Sequence, residues 1–339
     1  MDKSGFTTWN SEIPSYLVDG YHETGTFVEF INNFKNYHNW MIFSDYCFGL
    51  PEGKNNLVIT ATIIPFDDYK WIKTYSDIVG NLHSKDIKES KLSPKLVNFV
   101  NFINKLPAFH VSIVLDENFN FYKSSNLTQQ EYFIQRFEGI HKQLLHVANY
   151  GIADCSIHQS LKNTKAVINN LNGKNMKTFR QTEIVSSVIS SIIKMIADNT
   201  GHKNKICWCS DRDDILTFLS NKISSPFIFE MIKNDVNRIT SNKNQELIFF
   251  NKKDCDYDNL IRIPDFIAGT LCDLDLEKIT VTKGKFLPVL YELLTNKEKN
   301  LVLKLVMDQE KVKVIHYRME KVAQTTPDWK IYNSKRCTK

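Results

Sequence analysis

The chain has 339 residues, 42% of them hydrophobic and 12% aromatic, with a formal net charge of +5. That is enough apolar material for one large domain or two ordinary ones, and it excludes a disordered chain. No run approaches the ~20 apolar residues that a membrane-crossing helix needs. The opening Met1-Asp2-Lys3-Ser4-Gly5-Phe6 lacks the charged-then-apolar pattern of a secretion signal, so the expectation is a cytoplasmic protein with no membrane partner. The seven cysteines are odd in number and irregularly spaced, which argues for buried thiols and against a secreted disulfide framework.

Residues 1–37 are mixed and slightly acidic and form an N-terminal extension. Residues 40–48 read as a strand, a Gly- and Asn-containing turn follows at 51–56, and the β-branched run Leu57 to Ile64 reads as its hairpin partner. Helices are expected over about 66–81 and 93–105, a strand over Phe109–Leu115, and a long helix over 128–149, where Phe133, Phe137, Ile140 and Leu144 fall at helical spacing. The Asn- and Lys-rich stretch 160–178 reads as a loop or lid. Over 181–198, Ile184, Val188, Ile192 and Ile196 make an apolar face, and Ser186, Ser187, Ser190 and Ser191 line the other side, as in a helix laid on a sheet.

A strand at 205–211, helical segments at 212–221 and 227–238, a strand at 245–250 and a helix from Pro264 follow. The last sixty residues read as a helix near 285–307 and a strand from Lys311 to Tyr317. Strands first, then strands alternating with helices, predict an α/β fold with a mixed sheet: an antiparallel hairpin start, a parallel continuation and flanking helices.

Three carboxylates stand at element ends. Asp45 is late in the first strand, Asp211 ends the strand Ile206 to Ser210, and Asp265 lies in the first turn of the helix from Pro264, among Phe266, Ile267 and Ala268. A lone acid among apolar neighbours is costly to ionise unless something cationic meets it, and scattered carboxylates of this kind suit a Mg²⁺ site. Each has a plainer account. Ser210-Asp211-Arg212-Asp213 also reads as a capping box, and acids in a first helical turn are favoured by the helix dipole. Asp213 and Asp214 are alternates to Asp211 as a ligand. Asp211-Arg212-Asp213 taken as the Asp-x-Asp of a glycosyltransferase is a very weak signal, since no Gly-rich nucleotide-binding turn precedes it. His141 and His146 are five apart, off the helical zinc spacing, and neither a Gly-x-Ser-x-Gly elbow nor a P-loop is present.

This order of elements resembles the ribonuclease H fold. More narrowly, it is similar to the bacterial family grouped as domain of unknown function 3800. The resemblance covers roughly residues 38–275, leaving 1–37 as an extension and 276–339 as a basic C-terminal accessory segment. It rests on Asp45 at the first strand, the hairpin partner Leu57 to Ile64, the segment Asn81-Leu82-His83-Ser84-Lys85-Asp86-Ile87, and the closing Ile263-Pro264-Asp265-Phe266-Ile267-Ala268-Gly269. Tyr46-Cys47-Phe48-Gly49 departs from the family's Glu and Ser after the first Asp, and Pro264 replaces its Ala.

The resemblance implies a nuclease that hydrolyses phosphodiester bonds with Mg²⁺ or Mn²⁺ held by Asp45, Asp211 and Asp265, or by Asp213. His83 or Lys85 would orient a phosphate or assist proton transfer. The missing Glu also leaves open a catalytically degenerate relative that binds nucleic acid or a protein partner. A nucleic-acid partner fits the charge distribution. Residues 283–339 hold thirteen Lys/Arg against six Asp/Glu, including Lys311, Lys313, Arg318 and Lys321, with Trp329 and Tyr332 interleaved among Lys330, Lys335 and Arg336. Between Asp154 and Glu183 lie Lys162, Lys165, Lys174, Lys177 and Arg180 and no acid.

Overall fold

The computed structural model describes residues 13–48, 56–83, 85, 87–116, 119, 128–152, 155–171, 176–211, 214–219, 226–240, 245–250, 256–308, 311–321 and 329–334. Two helices come first, α1 (Ile13–Thr24) and α2 (Thr26–Asn33), followed by the hairpin β1 (Asn39–Cys47) and β2 (Leu57–Phe66). Both strands are apolar on consecutive residues and buried through most of their length, as expected of strands covered on both faces. Then come α3 (Tyr69–Leu82), α4 (Pro94–Lys105) and β3 (Phe109–Leu115). Asp68 caps α3, its side chain accepting from the Lys70 N–H, and Ser93 caps α4 with Pro94 in its first turn.

Three long helices lead to the next strand: α5 (Gln129–Val147), α6 (Cys155–Asn170) and α7 (Met176–Thr200). Thr128 and Glu131 form a capping box at the start of α5. After β4 (Lys205–Ser210) come α8 (Asp214–Thr217), α9 (Phe227–Ile239), β5 (Glu246–Phe249) and α10 (Arg262–Asp273), and the chain closes with β6 (Asn300–Asp308), β7 (Lys311–Lys321) and β8 (Trp329–Ser334).

Among the described residues, eight strands form one sheet in the order β5-β4-β1-β2-β3-β6-β7-β8. β1, β2 and β3 are antiparallel in turn, β4 and β5 run parallel to β1, and β6 runs parallel to β3. The molecule is thus an α/β protein with a mixed sheet flanked by helices. One face packs Trp40, Ile42 and Ile63 against α1, α2 and α7. The other packs Met41, Phe43 and Val58 against α3, α4 and α10. A smaller cluster, with Phe133, Phe137, Val167, Phe179 and Phe227, joins α5, α6, α7 and α9 beyond the sheet. No helix among the described residues is long and apolar enough to cross a membrane.

Two expectations need correction. Residues 160–170 are the body of α6 and not a lid: Val167 and Leu171 are buried, and Asn170 Nδ2 donates to the Ala166 carbonyl. The polar composition disguised a helix with a narrow apolar stripe. The serine side of α7 is as buried as its isoleucine side, because α1, α2 and α9 cover it, so α7 lies between layers and not on the surface. Serine is small enough for those helices to approach and can return its hydroxyl to the preceding turn, as Ser186 does to Glu183 O and Ser191 to Val188 O. The Tyr21 and Ser191 hydroxyls meet at 3.1 Å.

The helix expected near 285–307 is instead a 3₁₀ turn (Gly284–Phe286), a π-helical turn (Val289–Leu293) and then β6. Asn300 Nδ2 donates to the carbonyls of Leu293 and Asn296, which ends the helical stretch. Leu301, Leu303 and Leu305 then point to one face and Val302 to the other. A strand buried on both sides reads as an unbroken apolar run, which periodicity cannot separate from a buried helix.

Candidate functional site

Side-chain alternation along β1 decides where Asp45 points. Trp40 and Ile42 enter the core beneath α7, so Met41, Phe43, Asp45 and Cys47 belong to the face covered by α10. β4 runs parallel to β1 with Ser44 opposite Ser210, so Asp211, one residue beyond the strand, comes level with Asp45. Trp208 Nε1 donates to Ser44 Oγ at 2.9 Å and Ser210 Oγ to the Ser44 carbonyl at 3.2 Å, which fixes this register beside the acid. α10 crosses β1, β2 and β3 on the same face and brings Asp265 over the strand end from its first turn.

Asp45 and Asp265 share a side-chain hydrogen bond, and Asp211 is close enough for its charge to act on Asp45. The Asp45 carboxyl is raised well above the usual carboxylate range, first by burial and then by the charges of Asp265 and Asp211; a bond from the Tyr46 backbone opposes the shift. Two carboxylates in contact resist ionising together. Asp265 Oδ2 also accepts the Ile87 N–H at 3.1 Å.

Residues 87–89 are clamped to α10 at several points. Gly269, one turn along from Asp265, lets Ile87 lie directly on the helix: a Cβ there would come within 2.6 Å of Ile87 Cδ1. The buried Lys285 ammonium donates to the Ile87 carbonyl and to the Lys88 carbonyl at 3.3 Å. One peptide segment is therefore held by the Asp265 carboxylate on its N–H side and by a lysine on its carbonyl side.

His83 and Lys85 part company. His83 is buried, its Nε2 is 2.7 Å from Ser90 Oγ, and its ring packs against Phe99 and Phe266. Burial, then the charges of Arg262 and Lys85, lower its pKa, so the ring is neutral near pH 7. Arg262 donates to the His83 carbonyl, tying the end of α3 to the start of α10. Lys85 is exposed. Asp213 and Arg212 lie outside the described residues.

A polar seam that sequence reading missed runs from Asp45 into the neighbouring strands. Thr60 stands opposite Asp45, and its hydroxyl meets Ser112 Oγ at 2.9 Å. One step further, Thr62 Oγ1 meets His110 Nδ1 at 3.0 Å, and burial, then Lys299, lowers His110 to about 3. Polar residues at alternate positions of otherwise apolar strands were the available signal.

In the C-terminal segment, the β6–β7 ladder pairs Lys311 with Asp308 and Lys313 with Val306. Lys313 is exposed, while Arg318 pairs with Glu320 at 3.0 Å. A cavity of about 730 Å³ opens at the opposite end of the sheet from Asp45, between Phe30, Lys105, Lys299 and Arg318.

Comparison with family models, with characterised proteins and with solved structures returns no match.

Proposed function

We propose that this protein is a divalent-metal-dependent nuclease of the ribonuclease-H-like type, a divergent relative of the domain of unknown function 3800 family. The observation that carries the reading is the contact of Asp45 from the central strand with Asp265 from α10, with Asp211 beside them at the end of the adjacent parallel strand. The sheet order β3-β2-β1-β4-β5 supports it, with three antiparallel strands and then two parallel to the first. So does the acid-headed helix packed across that sheet.

The donors suit a hard cation, because all three are carboxylates and Mg²⁺ or Mn²⁺ takes oxygen ligands. Asp45, Asp265 and Asp211 would hold it, and the ion would activate a water for attack on a phosphodiester and steady the leaving oxygen. The chain's own part would be to hold Asp45 against Asp265 with Asp211 nearby, so that a cation could take the place of a proton there. Lys85, exposed beside the Ile87 clamp, and Lys313, on the α10 side of the sheet, would meet the nucleic-acid backbone.

A second reading, the catalytically degenerate binder, has its own support. Asp265 spends one oxygen on the Ile87 N–H. No group of three or more His, Cys, Asp or Glu side chains among the described residues is arranged as a metal cluster.

The deciding experiment has two arms: melting with and without Mg²⁺ or Mn²⁺, and hydrolysis of labelled single- and double-stranded DNA and RNA. For the nuclease, divalent ions raise the melting temperature by mass action, cleavage is metal-dependent, and Asp45→Asn and Asp265→Asn lose both. No metal shift and no cleavage, with oligonucleotide binding retained, selects the degenerate binder.

A further inference from the structure

We infer that Cys47 and Cys272 are an oxidation site: a thiol pair that closes to a reversible intramolecular disulfide between the end of β1 and the last turn of α10. This does not depend on the nuclease reading. The two Sγ atoms are 2.7 Å apart, and Cys272 also lies 3.0 Å from the Asn56 carbonyl. Disulfide formation brings sulfurs to about 2.05 Å, so the two sulfurs stand within a sub-ångström movement of bonding distance.

The backbone around the pair is held from both sides. Cys47 is paired opposite Val58 in the β1–β2 ladder. Asn56, just before β2, clips the end of α10: its Nδ2 donates to the carbonyls of Leu271 and Leu274, each at 2.8 Å, and its N–H to the Cys272 carbonyl at 3.3 Å. The two thiols are thus presented to each other by elements already fastened together.

Their exposures differ in a useful way. Cys47 is partly exposed and Cys272 is buried, so an oxidant from solvent meets Cys47 first. With a peroxide as oxidant, the Cys47 thiolate attacks one peroxide oxygen, the O–O bond breaks, and sulfenic acid and hydroxide result. The Cys272 sulfur then attacks the Cys47 sulfur, its proton leaves with the departing hydroxyl as water, and the S–S bond forms. The balance is two thiols and one hydrogen peroxide giving one disulfide and two waters, and a dithiol reverses it.

The chain contains its own control. Cys207 and Cys209 are both buried on β4 two residues apart, with Cys207 Sγ held at 3.3 Å by the Tyr69 hydroxyl. Side chains at i and i+2 of a strand are roughly 6–7 Å apart at the backbone and point the same way, too far to bridge without bending the strand.

The consequence lies next door. Cys47 is two residues beyond Asp45 on the same face of β1, and Cys272 is two turns beyond Asp265 on α10. A bond between them ties the strand carrying one carboxylate to the helix carrying the other.

The test uses the full-length chain. Reduced protein is treated with hydrogen peroxide, remaining thiols are alkylated, and non-reduced digests are mapped by mass spectrometry. The expected result is a Cys47–Cys272 linked peptide with Cys207 and Cys209 alkylated after unfolding, an unchanged circular dichroism spectrum, and a melting temperature that rises on oxidation and falls back with dithiothreitol. In Cys272→Ser, Cys47 stops at sulfenic acid and is trapped by dimedone. Alkylation of both Cys47 and Cys272 after oxidation, a linkage from either one to another cysteine, or linkage only in unfolded protein would each overturn the inference.

Discussion

The raised carboxyl of Asp45 makes stability depend on pH in a direction opposite to that of an ordinary salt-bridged acid. Burial, Asp265 and Asp211 raise its carboxyl well above the usual range, so the folded chain holds a proton that the unfolded chain has released. A group raised in the folded state contributes stability that is fully present below its unfolded value, near 4 for Asp, and is lost as pH rises through the folded value. Within that window the native state binds one proton more than the unfolded state. Stability therefore falls by up to about 1.4 kcal/mol per pH unit from this site alone.

Asp45→Asn is the perturbation that isolates the effect. The amide keeps the shape, can donate to Asp265 as the protonated acid does, and has no charge to suppress. The variant should lose the Asp45 slope and gain on wild type by about 1.4 kcal/mol for each pH unit inside the window. Urea unfolding at a series of pH values measures it, and the difference between the two proteins cancels the titrations of His83, His110 and His316, which are common to both. A divalent cation that replaces the proton should flatten the wild-type slope and leave the variant untouched. Parallel pH curves for the two proteins would refute the argument, because they would mean that Asp45 is ionised in the fold at the same pH as in the unfolded chain.

Three further outcomes follow from named contacts. Gly269→Ala drives a methyl against Ile87; it should cost about 1–3 kcal/mol in denaturant unfolding, and Ile87→Val, which removes the Cδ1 it meets, should restore much of the loss. Arg136, Glu183 and Asp235 form a buried ionic cluster between α5, α7 and α9. Arg136→Met should therefore cost about 3–5 kcal/mol by leaving the buried Glu183 without its cation and Asp235 with Arg238 alone, and adding Glu183→Gln should recover part of it. If Lys311 and Lys313 each neutralise one phosphate, replacing both with Glu should weaken oligonucleotide binding and lower the salt slope by about 1.8; unchanged affinity and slope would place the nucleic-acid contact elsewhere.

What was legible in the chain and what was not divides along physical lines. The β1–β2 hairpin, β3, β4 and the long α5 were readable because their patterns are local: β-branched runs, Gly- and Asn-rich turns, and apolar residues at helical spacing. Asp265 stood out because an acid surrounded by Phe266, Ile267 and Ala268 breaks a local pattern. β6 was mistaken for a helix because a strand covered on both faces leaves no alternation. The burial of the serine side of α7 was not legible, because nothing within twenty residues reveals that α1, from the far end of the chain, lies on it. Lys285 was hidden for a similar reason: its partners, the carbonyls of Ile87 and Lys88, are nearly two hundred residues away, and a lysine that ends at backbone carbonyls leaves no complementary acid to notice.

The same distinction bears on how the carboxylates are held. The acids come from three distant parts of the chain, yet no single contact sets their meeting. β1 and β4 are registered by Trp208 and Ser210 on Ser44, one residue from Asp45. α10 is placed at its start by Arg262 on His83 O, in its middle by Gly269 on Ile87, and at its end by Asn56 on Leu271 and Leu274. Each contact is polar or steric, and none would be needed merely to bury the apolar residues of α10, which a helix shifted by a turn could also do. Asp45 and Asp265 are half-buried and in contact, and charge on both at once is unfavourable there, so a rigid surround is what holds the two together. Three anchors along one twelve-residue helix provide that rigidity, and they make α10 the element whose position decides whether the carboxylates meet.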